Sequence, residues 1–170
     1  MLELLAERDL DDITVADLVA RADVNRSTFY QHFADRHALL ADAIDAAMTQ
    51  DRATLPDPPT ELGSEPPAGL LKYLRHFDEH AAAYARVFGD HGSPLAVARL
   101  QARVAELAAE GIEQSGSGVF EGMPVRVAAA GLAGSVIAVL GEWLAHDPRP
   151  DVQTAAEWIW RVLAEPGASR

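Results

Sequence analysis

Residues 13 to 40 read ITVADLVARADVNRSTFYQHFADRHALL, and this stretch decides the fold. Thr14 stands where a helix needs an N-cap, and Asp17, three positions on, supplies the acid of a capping box. Val15, Leu18 and Val19 give that helix one apolar face, and its end is predicted near Ala22. Asp23 and Val24 then form a tight turn, and Asn25 caps a third helix holding Ser27, Thr28, Phe29, Tyr30 and Phe33. Asp35 caps a fourth, which runs through Leu39, Leu40, Ile44 and Met48 towards Ala53. Two helices of about eight residues with a short turn between them, the second small and polar at its start, form the arrangement that sets a recognition helix in a DNA major groove.

Outward from this stretch the periodicity stays helical. Leu2, Leu4 and Leu5 mark a short first helix before the acidic break at Asp9 to Asp12. Residues 55 to 67 read LPDPPTELGSEPP, and no regular helix crosses so many prolines, so a linker is expected there. Beyond it, helices are predicted over Leu70 to Phe77, over Ala81 to Phe88, from Pro94 to about Ile112, from Pro124 to Ala145, and from Val152 to Leu163. No run alternates as a strand does, so the chain reads as all-α. The expected organisation is a helix-turn-helix domain over 1–54, a linker over 55–67 and a helical domain over 68–170.

Composition bounds the function. At 170 residues, 49% hydrophobic and 24% charged, the chain is an ordinary globular length and balance with enough apolar material for a core. It has no cysteine, which removes disulfides, thiolate metal sites and cysteine nucleophiles. The uncharged run from Val127 to Gly141 is shorter than a membrane span requires, and the acidic first ten residues do not resemble a signal peptide. No membrane partner is expected, and the expected compartment is the cytoplasm. The net charge of −12 argues against nucleic acid in general, yet residues 24 to 37 carry Arg26 and Arg36 against Asp35 alone. Arg26 and Gln31 suit base edges, and Ser27 and Thr28 suit either bases or phosphates.

Residues 13 to 40, with Tyr30-x-His32-Phe33 at the end of the third helix and Asp35 to Leu40 opening the fourth, resemble the DNA-binding domain of the TetR/AcrR-type transcriptional regulators. The resemblance is specific over residues 1 to 50 and architectural beyond. It implies phosphate contacts from Thr14, Tyr30 and His32, with Arg36 reaching the DNA backbone from the fourth helix. It also implies that residues 68–170 bind an effector and pair two copies of the chain. Members of the family carry a longer first helix preceded by a basic arm, so weakened DNA affinity is expected of a chain that opens inside that helix.

In the helix after Pro124, Ala130, Gly134, Ala138, Gly141 and Ala145 share one face, and Leu132, Val136, Val139, Leu140 and Trp143 share another. Gly134, Ala138 and Gly141, with Trp158 and Val162 of the last helix, are the candidates for a homodimer interface. Tyr73, Phe77, Tyr84, Phe88 and Trp143 are the candidates for an effector cavity, though aromatic positions of this kind are more often plain core. His76 and His80 have helical metal-ligand spacing but no third ligand, so neither a metal nor another cofactor is expected. No motif for a nucleophile, a catalytic zinc or a phosphate loop is present, and an enzyme is not expected. The reading is a homodimeric, ligand-responsive regulator of transcription, a repressor released from its operator by a small molecule. The alternative is a ligand-binding or interaction module of the same fold that no longer binds DNA.

Overall fold

The capping chemistry around Thr14, Asn25 and Asp35 organises the first fifty residues of the computed structural model, which describes residues 1–52, 65–115 and 120–164. Helix α1 (Leu2–Glu7) is followed by a single 3-10 turn (Leu10–Asp12), then α2 (Val15–Ala22), α3 (Arg26–His32) and α4 (Arg36–Arg52). Thr14 Oγ1 accepts from the N–H of Asp17 at 3.2 Å, while the Asp17 carboxylate accepts from the N–H of Thr14 at 2.8 Å and from its hydroxyl at 2.7 Å. These hydrogen bonds, first that of the Thr14 hydroxyl, hold the Asp17 carboxyl below its ordinary range. Asp23 takes the left-handed conformation at φ 52, and the N–H of Val24 returns to Val19 O at 3.0 Å. That single residue reverses the chain from α2 into α3. The Asp35 carboxylate caps α4 through the N–H of Ala38 at 2.8 Å.

The second half continues as α5 (Ala68–Glu79), α6 (Ala81–Phe88), α7 (Pro94–Ser115), α8 (Val125–Ala145) and α9 (Val152–Ala164). The proline-rich linker expected over 55–67 lies outside the described residues as far as residue 64. Helix α7 packs along α8 on one side and along α4 on the other, α1 lies against α6, and α9 closes on α5 and α8. The buried apolar side chains form one cluster, from Leu4, Leu18 and Phe29 through Leu40 and Ile44 to Tyr84, Leu140, Trp143 and Ile159. The recognition helix is thereby fixed to the same core as α8.

Two connections tie the halves together. Arg86 of α6 donates through Nη1 to Leu5 O and Ala6 O, both at 3.1 Å, and through Nε to Asp9 Oδ1 at 3.0 Å. It satisfies carbonyls at the end of α1 that the helix itself leaves unpaired. Ser93, only 1% exposed, caps α7 by accepting from the N–H of Ala96 at 3.3 Å, and its Oγ lies 3.2 Å from His37 Nδ1 at the start of α4.

Helix α8 has the bounds expected of it and extends beyond the uncharged run from Val127 to Gly141 at both ends. Its 21 residues are long and apolar enough to cross a membrane by length and composition, with 39% of its most apolar window buried. The buried side, including Ala129, Ala133, Leu140 and Trp143, is a core face against its own chain.

The corner between α6 and α7 requires glycine at 92. A Cβ there would lie 2.1 Å from Val87 O, the carbonyl that accepts from the N–H of Ser93 at 3.2 Å. Gly92→Ala is therefore expected to open this corner and to lower stability by at least about 2 kcal/mol, seen as a lower Tm in calorimetry. An unchanged Tm would show that the corner relaxes freely.

Candidate DNA-binding face

Helix α3 buries one side chain, Phe29, and turns its other faces outward. Phe29 packs edge-on against Tyr30, with ring centroids 5.2 Å apart, and more loosely against Phe33 at 5.8 Å. This anchor holds Arg26, Ser27, Tyr30, Gln31 and His32 exposed, and Tyr30 keeps 54% of its surface. Behind the helix, an apolar recess of about 480 Å³ opens between α1, α2, α3 and α4, walled by Leu4, Leu18, Phe29, Phe33 and Leu39. Nothing in the spacing of the apolar residues announced it, because periodicity reports which side chains face inward and not how completely they fill the space.

The expected contact residues differ in how committed they are. Asn25 Oδ1 accepts from the hydroxyls of Ser27 at 2.6 Å and Thr28 at 3.0 Å and from the N–H of Thr28 at 2.8 Å. Asn25 is thus a cap, and the two hydroxyls expected at the DNA are tied to it. Thr14 is exposed but engaged in its capping box. Arg26, Gln31 and His32 stand exposed on the same short helix.

Arg36 is engaged within the chain. Its Nη2 donates to Asp11 Oδ1 at 2.7 Å, and its Nη1 donates to Asp11 O and Ile13 O, both at 3.3 Å. A guanidinium holding three acceptors of the segment before α2 braces that segment against α4. The other arginines near this face are also spent, Arg8 on Asp17 at 3.3 Å and Arg21 on Glu3 at 2.9 Å. Arg26 alone among the described cations of α1 to α3 makes no ion pair with a described residue.

The expected effector set is also redistributed. Phe77, Tyr84 and Trp143 are core: the rings of Phe77 and Tyr84 lie 4.5 Å apart, Tyr84 Oη lies 2.9 Å from His76 Nε2, and Trp143 Nε1 donates to Pro150 O at 2.9 Å. Aromatic rings that interlock in this way leave no cavity between them. Tyr73 packs half-buried at the edge of that core. Phe88 is the exception, since it lines an open recess at the corner of α6 and α7. His76 and His80 pack edge to face with ring centroids 4.9 Å apart, and among the described residues no three metal-ligating side chains converge.

Gly141 is likewise turned inward: a Cβ there would lie 3.2 Å from Phe88 Cδ1, so this position serves packing within the chain. Gly134 lies half-buried near the Gln101 amide. Ala138 and Val162 are exposed, and Trp158 is half-buried with its ring centroid 5.6 Å from that of His146.

A short helix held by a cap after a tight turn, presenting its polar side, has the geometry of a helix-turn-helix unit. Residues 2–43 match the family model described as bacterial regulatory proteins, tetR family. Over the whole chain the fold is similar to a crystal structure from Syntrophomonas wolfei titled as a TetR-family transcriptional regulator, at TM-score 0.64 and 19% identity, covering 96% of this chain and 89% of the other. At that identity the likeness is one of fold. No curated protein matches by sequence.

The brace makes a separable forecast. Arg36→Ala should lower stability by about 1–2 kcal/mol, allowing for solvent screening of a pair that is partly exposed. That corresponds to a fall in Tm of about 2–4 °C per kcal/mol for a chain of this size. A normal Tm with weakened DNA binding would instead restore Arg36 to the DNA.

Proposed function

We propose that the chain is a homodimeric repressor in the cytoplasm that reads a two-fold operator with α3 and is released by a small molecule. The observation that carries the DNA reading is the exposed face of α3, where Arg26, Tyr30, Gln31 and His32 stand together over the buried Phe29. In this reading Arg26 and Gln31 meet base edges, Tyr30 and His32 meet phosphates, and Ser27, Thr28 and Thr14 line the approach. Residues 1–54 form the DNA-binding unit, and residues 68–170 bind the effector and pair the protomers.

The dimer reading is supported by α8. Most of its apolar length is unburied within one chain, and Val127, Ala130 and Ala138 lie on its exposed side, with Val127 keeping 57% of its surface. A second copy covering that face together with Val162 of α9 removes it from water, and it presents two α3 helices to successive major-groove faces about 34–36 Å apart. An effector that stabilises another separation lowers operator affinity in proportion to its preference for that state.

The test is titration of the protein into labelled duplex from the DNA upstream of its own coding region, with mass by light scattering. Arg26→Ala is expected to cost about 1–3 kcal/mol of specific binding, and Tyr30→Phe with His32→Ala to weaken it further, at unchanged Tm. With two unpaired Arg26 side chains per dimer, the slope of log K against log salt should be shallow, about −2 to −4. A dimer that binds this duplex no better than random DNA would overturn the operator reading.

A further inference from the structure

The recess at the corner of α6 and α7 has a volume of about 310 Å³ and is open to solvent. Phe88, Val97 and Ala98 supply apolar walls, and Asp90 and Gln101 supply the polar ones. Asp90 is the single charged side chain on this lining, it is exposed, and it makes no ion pair with a described residue. One wall is Ser93, the buried cap of α7 whose hydroxyl reaches His37 on α4. The recess therefore joins an apolar surface large enough for one ring to an exposed carboxylate without an ion-pair partner among the described residues, beside a contact between the two halves of the chain.

We propose that this recess binds a small organic cation, an ammonium group on an apolar or aromatic body, and that its occupancy is transmitted to α4 through Ser93 and His37. The ammonium sits at Asp90 and hydrogen-bonds the Gln101 amide oxygen, while the apolar body lies against Phe88 and Val97. A volume of about 300 Å³ is at the small end of ligand sites, which limits the occupant to about one ring and a short tail. Phe88 sits against Gly141, where a Cβ would crowd the ring, and Ser93 stands on the same lining, so an occupant of the recess adjoins the turn that contacts His37. The chain's net charge of −12 favours a cation over an anion at any such opening. This proposal rests on the ligand-responsive reading above and names the site and ligand class for it.

The probe is 2-phenylethylammonium chloride, titrated by calorimetry into the full chain. Saturable binding is expected, weakened at least about tenfold in Asp90→Asn, abolished in Ala98→Trp, and at least about tenfold weaker for neutral 2-phenylethanol. On protein bound to the upstream duplex, the same ammonium should reduce DNA affinity at least threefold. His37→Ala should keep ammonium binding and lose that reduction. No saturable binding, or equal binding in Asp90→Asn and Ala98→Trp, overturns the site, and binding that leaves DNA affinity untouched overturns the transmission. Release of DNA from Ala98→Trp by a neutral or anionic compound would overturn this site while leaving the ligand-responsive reading intact.

Discussion

Arg86 holds the structure to its purpose. Its guanidinium reaches from α6 to two carbonyls at the end of α1 and to Asp9, in a place where those carbonyls have neither helix nor strand to accept from. Without that bridge α1 would meet α6 through apolar contact alone, and α1 is one of the walls against which α2 and α3 are packed. The Ser93 and His37 contact does the same for α4 from the other side of the corner. Orientation of the recognition helix is thus set from the second half of the chain, by polar contacts at two points a few residues apart on α6 and the start of α7. A few well-placed hydrogen bonds suffice because the apolar core is continuous and already limits what the halves can do.

Electrostatics follows the same economy. The chain has 26 acidic and 14 basic side chains, and the arginines near the DNA face are mostly consumed in bracing it. What remains at α3 is Arg26 with neutral polar groups. If α3 reads DNA as proposed, a face of that kind draws little long-range attraction from phosphate, and recognition falls on short-range fit.

Much of this was legible in advance because it is local. The capping box of Thr14 and Asp17, the Asn25 and Asp35 caps, and the Pro94 start of α7 each depend on residues within three or four positions, and spacing reports them directly. The Arg36 brace is not legible in the sequence because its partner Asp11 lies 25 positions earlier, and nothing local distinguishes a brace from a free cation. Arg86 was missed for the same reason at a separation of 81. Ser93 had a signal, a serine directly before a helix-opening proline, but its link to His37 spans 56 positions. The aromatic set divided between core and recess on packing alone, which periodicity does not encode. Gly141 looked like a small residue for a partner helix until Phe88 was found across from it.

The cap of α3 carries a consequence for what this helix can say to DNA. Each of the Ser27 and Thr28 hydroxyls has given its hydrogen to Asn25, and a hydroxyl in that condition turns only lone pairs outward. Phosphate oxygens repel such a surface. The exocyclic amino groups of adenine and cytosine, which donate in the major groove, are its natural complement. The residue that starts the helix thereby also sets the grammar in which two of its neighbours can read.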